Sequence, residues 1–384
     1  MTAFPPGFLW GTATSAHQVE GGNWNSDWWA WEHAPGSPCA EPSGDAIDHY
    51  HRYREDIALL AELGFGAYRF SLEWSRIEPE EGEFSAAALD HYARVAAACR
   101  DAGIEPIVTL HHFTSPRWVA EVGGWTAPVV AERFERFADR VMRRLGDEPG
   151  RVCTINEPNI VASMGYLIGL FPPGERDEGR RQQANRVLAD AHRRAVGAVR
   201  SASPARVGLT LAMPDYQSVD GGDVEPERSI DEDIFLAAAA GDDFVGVQTY
   251  TRIRVGPSGV LGPERGVPTT QMGWEFWPEA LEAALRRAHK ATGLPVLVTE
   301  NGIATNDDTD RIAFTERALQ GMLRCLADGI PVEGYCHWSA FDNFEWALGY
   351  RPTFGLIAVD RATQARIPKP SAKWLGGIAR RNAL

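Results

Sequence analysis

The sequence predicts an α/β fold, a single (β/α)8 TIM barrel occupying residues 1–384. Three observations carry that expectation. Short β-branched or apolar runs alternate with longer helical patterns, as βα units feeding a parallel sheet do. Eight such runs occur, which suits a closed barrel, and no Gly-x-Gly-x-x-Gly follows the first of them to suggest a dinucleotide crevice. The length of 384 residues is compatible with one unit, because such barrels run from about 250 to more than about 400 residues. No Ser/Gly-rich linker, low-complexity tract or short-period repeat divides the chain.

Taken in order, the strands are expected at residues 9–15, 67–72, 105–111, 151–156, 206–212, 244–250, 295–299 and 332–338. Between them, helical patterns fill 50–63, 86–102, 129–145, 183–202, 278–291 and 309–328. Several of these stop at or near Gly, as helices commonly do. A last helix over 370–379 closes the cycle. Segment 215–233 is the irregular part: it is polar and Gly-rich, and it leaves room for one short helix before the sixth strand.

Composition excludes several classes of function. The net charge is −14, and no Lys/Arg cluster offsets it beyond short Arg pairs such as Arg143 Arg144 and Arg193 Arg194. Nucleic acid and anionic membrane surfaces are therefore not expected partners. The five cysteines, Cys39, Cys99, Cys153, Cys325 and Cys336, are odd in number, scattered and without a Cys-x-x-Cys pair, which argues against a disulfide framework or a zinc site. Residues 1–6 lack the basic start and apolar stretch of a signal peptide, and no run of about 20 apolar residues could span a bilayer. The expectation is a soluble cytoplasmic protein. The 13 Trp, several at strand ends or in loops, offer flat apolar faces that suit the C–H faces of a pyranose.

Two short stretches carry the chemistry. Thr154 Ile155 Asn156 Glu157 Pro158 and Val298 Thr299 Glu300 Asn301 Gly302 each end an apolar run with a carboxylate. They sit on the fourth and seventh expected strands, so the barrel mouth can bring Glu157 and Glu300 together. Paired carboxylates across one pocket are what glycosidic bond cleavage needs, at about 5 Å separation where configuration is retained. Two such close acids resist ionising together. Arg69, near the tip of the second strand, is a cation able to hold Glu300 ionised; a purely structural ion pair is the other reading of it. His111 and His112 are adjacent on a strand, point to opposite faces, and cannot both enter the mouth. No further ligand recurs near them at metal-binding spacing.

The chain resembles glycoside hydrolase family 1, the β-glucosidase family, and looks like a short member of it. The opening segment Phe8 Leu9 Trp10 Gly11 Thr12 Ala13 Thr14 Ser15 Ala16 His17 Gln18 Val19 Glu20 Gly21 is similar to the family's N-terminal signature. Asn156 Glu157 Pro158 is similar to its acid/base signature, and Glu300 Asn301 Gly302 to its nucleophile signature. The likeness runs from about Phe4 to Trp374. It implies Glu300 as nucleophile and Glu157 as acid/base, with Asn156 donating to the sugar 2-hydroxyl and Tyr250 bonding Glu300. It further implies that Gln18, His112, Glu345 and Trp346 hold the remaining hydroxyls and that Trp338 forms the floor under the ring. His112 rather than His111 is the one it selects. The segment Trp338 to Trp346 resembles the family's strand-eight loop, which favours a ring platform over a core role for Trp338. Glu345 would repel a 6-phosphate, so an unphosphorylated sugar is expected. The mechanism needs neither cofactor nor metal.

Departures from the family pattern are local. Gln248 and Thr249 stand where Asn and Tyr are usual, and Thr114 Ser115 stands where Asp Leu is common. The missing length falls largely between the fifth and sixth strands, which would trim the wall of the aglycone site and suit a bulky aglycone. Trp274, in Met272 Gly273 Trp274 Glu275, would line that entrance. The expected function is a retaining β-glucosidase acting on a small-molecule β-glycoside. β-Galactosidase, β-fucosidase or transglycosylase activity on the same scaffold remains an alternative, as does a catalytically silent carbohydrate-binding relative, against which the presence of both carboxylates speaks.

Overall fold

The computed structural model describes residues 3–384, so residues 1 and 2 of the expected domain, and of the N-terminal stretch 1–6, lie outside the described residues. Eight parallel strands close into a barrel: β1 Leu9–Ala13, β2 Ala67–Ser71, β3 Glu105–His111, β4 Arg151–Asn156, β5 Arg206–Ala212, β6 Phe244–Gln248, β7 Val296–Asn301 and β8 Val332–Trp338. Each pairs with its neighbours in chain order, and β1 closes the ring against β8, Leu9 opposite Gly334. The long outer helices are α1 His49–Leu63, α2 Ala86–Asp101, α3 Val129–Leu145, α4 Glu178–Ala202, α5 Ala280–Thr292, α6 Asp308–Ala327 and α7 Pro370–Arg381.

Alternation along each strand makes two cores. Ala13, Ala67, Ile107, Cys153, Phe244, Leu297 and Cys336 point inward and pack together as the barrel's interior. β5 contributes Gly208, where a Cβ would stand 2.2 Å from the Phe244 carbonyl oxygen. Outward residues such as Tyr68, Phe70, Val108, Leu110, Val245 and Val247 meet the apolar faces of the helices. On α2, for example, Leu89, Tyr92, Val95, Ala96 and Cys99 are buried, the three-and-four spacing of one helix face.

Helix ends follow their caps. The Ser85 side chain accepts from the Ala88 N–H at the start of α2, and Asp307 from Thr309 at α6. Asp177 accepts from Arg180, so α4 begins at Glu178, five residues before the start expected from periodicity. The first turn there is polar and solvent-facing, so the apolar pattern misses it while the cap fixes it.

Four expectations need correcting. The first strand stops at Ala13, because Ser15 opens a one-turn helix, Ala16–Val19. The sixth stops at Gln248, two residues before Tyr250, whereas the seventh runs on through Asn301. Segment 215–233 is more ordered than a polar loop: Asp215–Ser218 pairs in parallel with Arg252–Gly256, which continues antiparallel into Gly259–Val260. Arg252 Nη1 donates to Gln217 Oε1 (2.9 Å), tying the two. Residues 225–238 then form one helical run with a π-helical middle, Ser229–Asp233. A strand whose partner lies far along the chain leaves little local signal. All five cysteines are free, and among the described residues no helix is long and apolar enough to cross a membrane.

Candidate active site

A cavity of about 490 Å3 opens where the strands end. His112 follows β3, Glu157 follows β4, Ala212 ends β5, Gln248 ends β6, Glu300 lies in β7 and Trp338 ends β8, and all of them line it. Active sites of parallel barrels sit at this C-terminal face.

Irregular backbone brings both acids there. Thr154 bonds His192 of α4 (2.8 Å) and Ile155 joins the outer core. A register shift against β5 between Cys153 and Asn156 then accompanies the inward turn of Asn156. β7 shifts against β6 between Val298 and Glu300. Bulges of this kind re-aim the residues beside them. Glu157, Phe113 and Trp346, three non-glycine residues lining the cavity, have φ of 42°, 68° and 53°, and such strained backbone gathers at functional sites. After Glu300, the chain passes so close to β8 that a Cβ on Gly302 would sit 2.0 Å from the Trp338 carbonyl oxygen.

Arg69 reaches the site because β2 alternates: Tyr68 and Phe70 face the helices, so Arg69 faces inward, fully buried. Its Nη1 donates to Glu300 Oε1 (2.6 Å) and its Nη2 to Asn156 Oδ1. Gln248 Nε2 donates to the same two acceptors, at 3.0 Å and 2.8 Å. The Tyr250 hydroxyl donates to Glu300 Oε2. Three side chains thus hold Glu300, whereas the Glu157 carboxylate receives no side-chain donor among the described residues.

The electrostatics follow this asymmetry. Burial pushes Glu157 well above the ordinary carboxylate range, and the neighbouring charge of Glu300 adds to it. Burial raises Glu300 as well, but Arg69 and the Tyr250 hydrogen bond pull it back down. Of the pair, Glu300 is the more readily ionised and Glu157 the more readily protonated. Burial keeps Tyr250 protonated, far above its usual value, so that its hydroxyl remains a donor. His112 is held neutral, first by burial and then by Arg69.

The other expected residues divide into two shells. Tyr250, Trp338, Glu345 and Trp346 line the cavity. The His112 ring stands 5.7 Å from Trp338 and 6.1 Å from Trp346, nearly parallel to both. Asn156, Arg69 and Gln18 stand behind these lining residues, joined to them by hydrogen bonds. Asn156 Nδ2 lies 3.2 Å from His112 Nε2. Gln18 accepts from Ser15 (2.6 Å) and donates to the Phe344 carbonyl (2.7 Å) and to Glu345 (3.2 Å). Burial pushes Glu345 up to about 8, with Glu300 adding and Gln18 opposing. His111 turns away, bonds Ser115 (3.2 Å) and packs edge-on against Trp125.

Sequence reasoning missed two features. Gln248 drew notice as a departure from pattern, not as a partner of both Glu300 and Asn156; its place two residues before Tyr250 was the available signal. The second is the apolar wall above the acids, Phe113, Met164, Phe171, Ile253, Leu261 and Trp274 among others. Its residues come from separate loops, and only Trp274 was singled out.

Paired acids in a cavity at the tips of a parallel barrel are the equipment of a glycoside hydrolase. The family described as Glycosyl hydrolase family 1 matches the chain over residues 1–246 and 246–384. Beta-glucosidase A of Thermotoga maritima is 33% identical over 447 aligned positions, covering 99% of this chain and 98% of that protein. Among solved structures, β-glycosidase BGL167 is similar with a TM-score of 0.94 at 51% identity, covering 99% of this chain and 98% of that one. A β-glycosidase from Pyrococcus horikoshii has a TM-score of 0.94 at 35% identity, covering 100% and 96%. The chain belongs to glycosyl hydrolase family 1 and is a glycoside hydrolase. It is a short member, at 384 residues against the 447 positions aligned with the Thermotoga protein.

Proposed function

We propose that this family 1 enzyme is a retaining β-glucosidase in which Glu300 attacks the anomeric carbon and Glu157 serves as acid, then base. The observation that carries the assignment is the asymmetry of the two acids: Glu300 is gripped by Arg69, Gln248 and Tyr250, while the buried Glu157 carboxylate is hydrogen-bonded by no side chain among the described residues. In the first step the Glu300 carboxylate displaces the aglycone as protonated Glu157 gives its proton to the departing oxygen. In the second, Glu157 takes a proton from water, which releases the sugar with its β configuration. Asn156, His112, Glu345 and Trp346, with Gln18 behind Glu345, orient the ring over Trp338. Following the anomer released from an aryl β-glucoside by NMR tests this: β-glucose should appear first, and α-glucose first would refute retention.

The aglycone is bulky and apolar. The wall beyond the acids is mainly Phe, Met, Ile, Leu and Trp side chains. Two of its polar members are already engaged, Arg252 with Glu275 and Glu264, and Thr251 with the Glu275 carbonyl. A second glucose ring would find few free partners there. In competition, a bulky hydrophobic β-glucoside should be turned over ahead of a short cello-oligosaccharide; a clear preference for the oligosaccharide would overturn this reading. The family match along the whole chain supports treating residues 1–384 as one catalytic domain. The acidic composition and the absence of a membrane-spanning helix among the described residues support a cytoplasmic enzyme acting on a small-molecule β-glycoside.

A further inference from the structure

We infer that His192, on the outer helix α4, is a positioning residue for the proton donor: through Thr154 it holds the irregular end of β4 that delivers Glu157 to the cavity. The inference rests on the assignment of Glu157 as acid and base. Along β4, Cys153 points into the barrel. Strict alternation would then turn Thr154 outward, Ile155 inward and Asn156 outward, away from the site. The strand does otherwise. Ile155 joins Thr154 on the outward side, in the core beneath the helices, and the register against β5 shifts between Cys153 and Asn156. Asn156 consequently faces inward, where Arg69 and Gln248 hold its oxygen. Glu157 follows with φ of 42° and lines the cavity. Two consecutive outward residues are thus the step that aims the acid.

A polar bond fastens that step to the helix layer. Thr154 Oγ1 lies 2.8 Å from His192 Nδ1, and both residues are fully buried. His192 Nε2 in turn stands 3.3 Å from Oδ2 of Asp242, which sits just before β6. The same oxygen accepts from the Leu209 N–H of β5 (3.0 Å). A carboxylate only accepts, so the ring proton belongs on Nε2, and Nδ1 is left to accept from the Thr154 hydroxyl. The order Thr–His–Asp is that of a nucleophile relay, but none of the three lines the cavity. The geometry therefore places β4 and attacks nothing. On the inner side β5 holds the backbone: the Thr210 carbonyl accepts from the Glu157 N–H (3.0 Å), and the Thr210 hydroxyl donates to the Ile155 carbonyl (3.2 Å). Removing the Thr154 hydroxyl would leave Nδ1 buried without a partner, a penalty the strand end relieves by moving. A displacement of about 1 Å, even from a change remote from the chemistry, can lower a rate by about 10²-fold.

The test reads the proton donor rather than the fold. Thr154→Val keeps the β-branched shape and removes the hydroxyl, whereas Thr154→Ser keeps the hydroxyl. Methyl β-glucoside needs a proton on its leaving oxygen, and 2,4-dinitrophenyl β-glucoside scarcely does. The kcat/KM ratio of the dinitrophenyl to the methyl substrate should rise about tenfold in Thr154→Val and stay within about twofold of wild type in Thr154→Ser. His192→Leu should raise the ratio as Thr154→Val does, and the double variant should raise it no further, since both changes remove one bond. Either Thr154→Val or His192→Leu decides if the other does not fold. A purely structural role would lower the melting temperature and depress both substrates together, so an unchanged ratio in a folded variant overturns the proposal. Glu157→Ala, assayed beside them, separates the two readings. If it leaves the ratio unchanged, the acid assignment fails; if it alone raises the ratio, that assignment stands and the positioning role of His192 falls.

Discussion

Glu157 and Glu300 are the same side chain, and the proposed mechanism gives them opposite duties because their surroundings differ. Arg69 and two further donors stabilise negative charge on Glu300; burial and the nearby Glu300 charge disfavour it on Glu157. Glu300→Ala should abolish turnover of every substrate. Glu157→Ala should lower kcat/KM by about 10²–10⁴ for alkyl glucosides, which need a proton on the leaving oxygen, and far less for 2,4-dinitrophenyl glucoside. Equal losses on the two substrates would contradict the division of roles. Glu345 carries a consequence for stability. Its folded value of about 8 lies above the ordinary unfolded value of about 4.3, so the folded protein binds the extra proton. The contribution of Glu345 to stability is therefore present in acid and lost as pH rises through about 8. Thermal unfolding should show Glu345→Gln matching the wild type near pH 4 and melting a few degrees higher near pH 9, where the ionised carboxylate is a cost. These two acids were visible in the sequence because each ends an apolar run. The hand that holds Glu300 was legible in part: Arg69 was expected to pair with it and the family resemblance implied Tyr250, but the second bond of Arg69, to Asn156, and the place of Gln248 between Glu300 and Asn156 exist only once strands two, four, six and seven stand side by side.

At the scale of elements, the barrel strands were legible because their apolar runs are short, evenly distributed and separated by helical periods. The discrepancies have local causes. Ser15 initiates a helical turn where the run itself does not stop, and Asp177 starts α4 inside a polar stretch. Asp215–Ser218 becomes a strand only by meeting Arg252–Gly256. That added sheet, with the loop after it, supplies Ile253, Leu261 and other apolar members of the cavity wall. Leu261→Asp should raise KM for a bulky apolar β-glucoside about tenfold, the equivalent of losing the burial of one aliphatic side chain. Methyl β-glucoside, too small to reach the wall, should keep its KM. A matching rise for both substrates would move the aglycone elsewhere.

At the scale of the molecule, the two ends of the barrel do different work. The C-terminal mouth concentrates bulges, positive-φ residues and buried acids. The opposite end holds an ion-pair chain in which Arg151 pairs with Glu105 and Glu333, and Arg206 also pairs with Glu333 (2.6 Å). These groups sit at the starts of β3, β4, β5 and β8 and tie the strands together. Glu333→Ala should lower unfolding free energy by about 1 kcal/mol, the value of a partly exposed pair, and leave kcat unaltered. A fall in kcat without loss of stability would show that the two ends are coupled.

The central claim is that Glu300 forms the glycosyl-enzyme bond. Intact mass spectrometry after incubation with an activated 2-deoxy-2-fluoro-β-glucoside, followed by peptide mapping, tests it most directly. The account expects one fluoroglucosyl group per chain, on the peptide that carries Glu300. Attachment to Glu157 or to any other residue would contradict it.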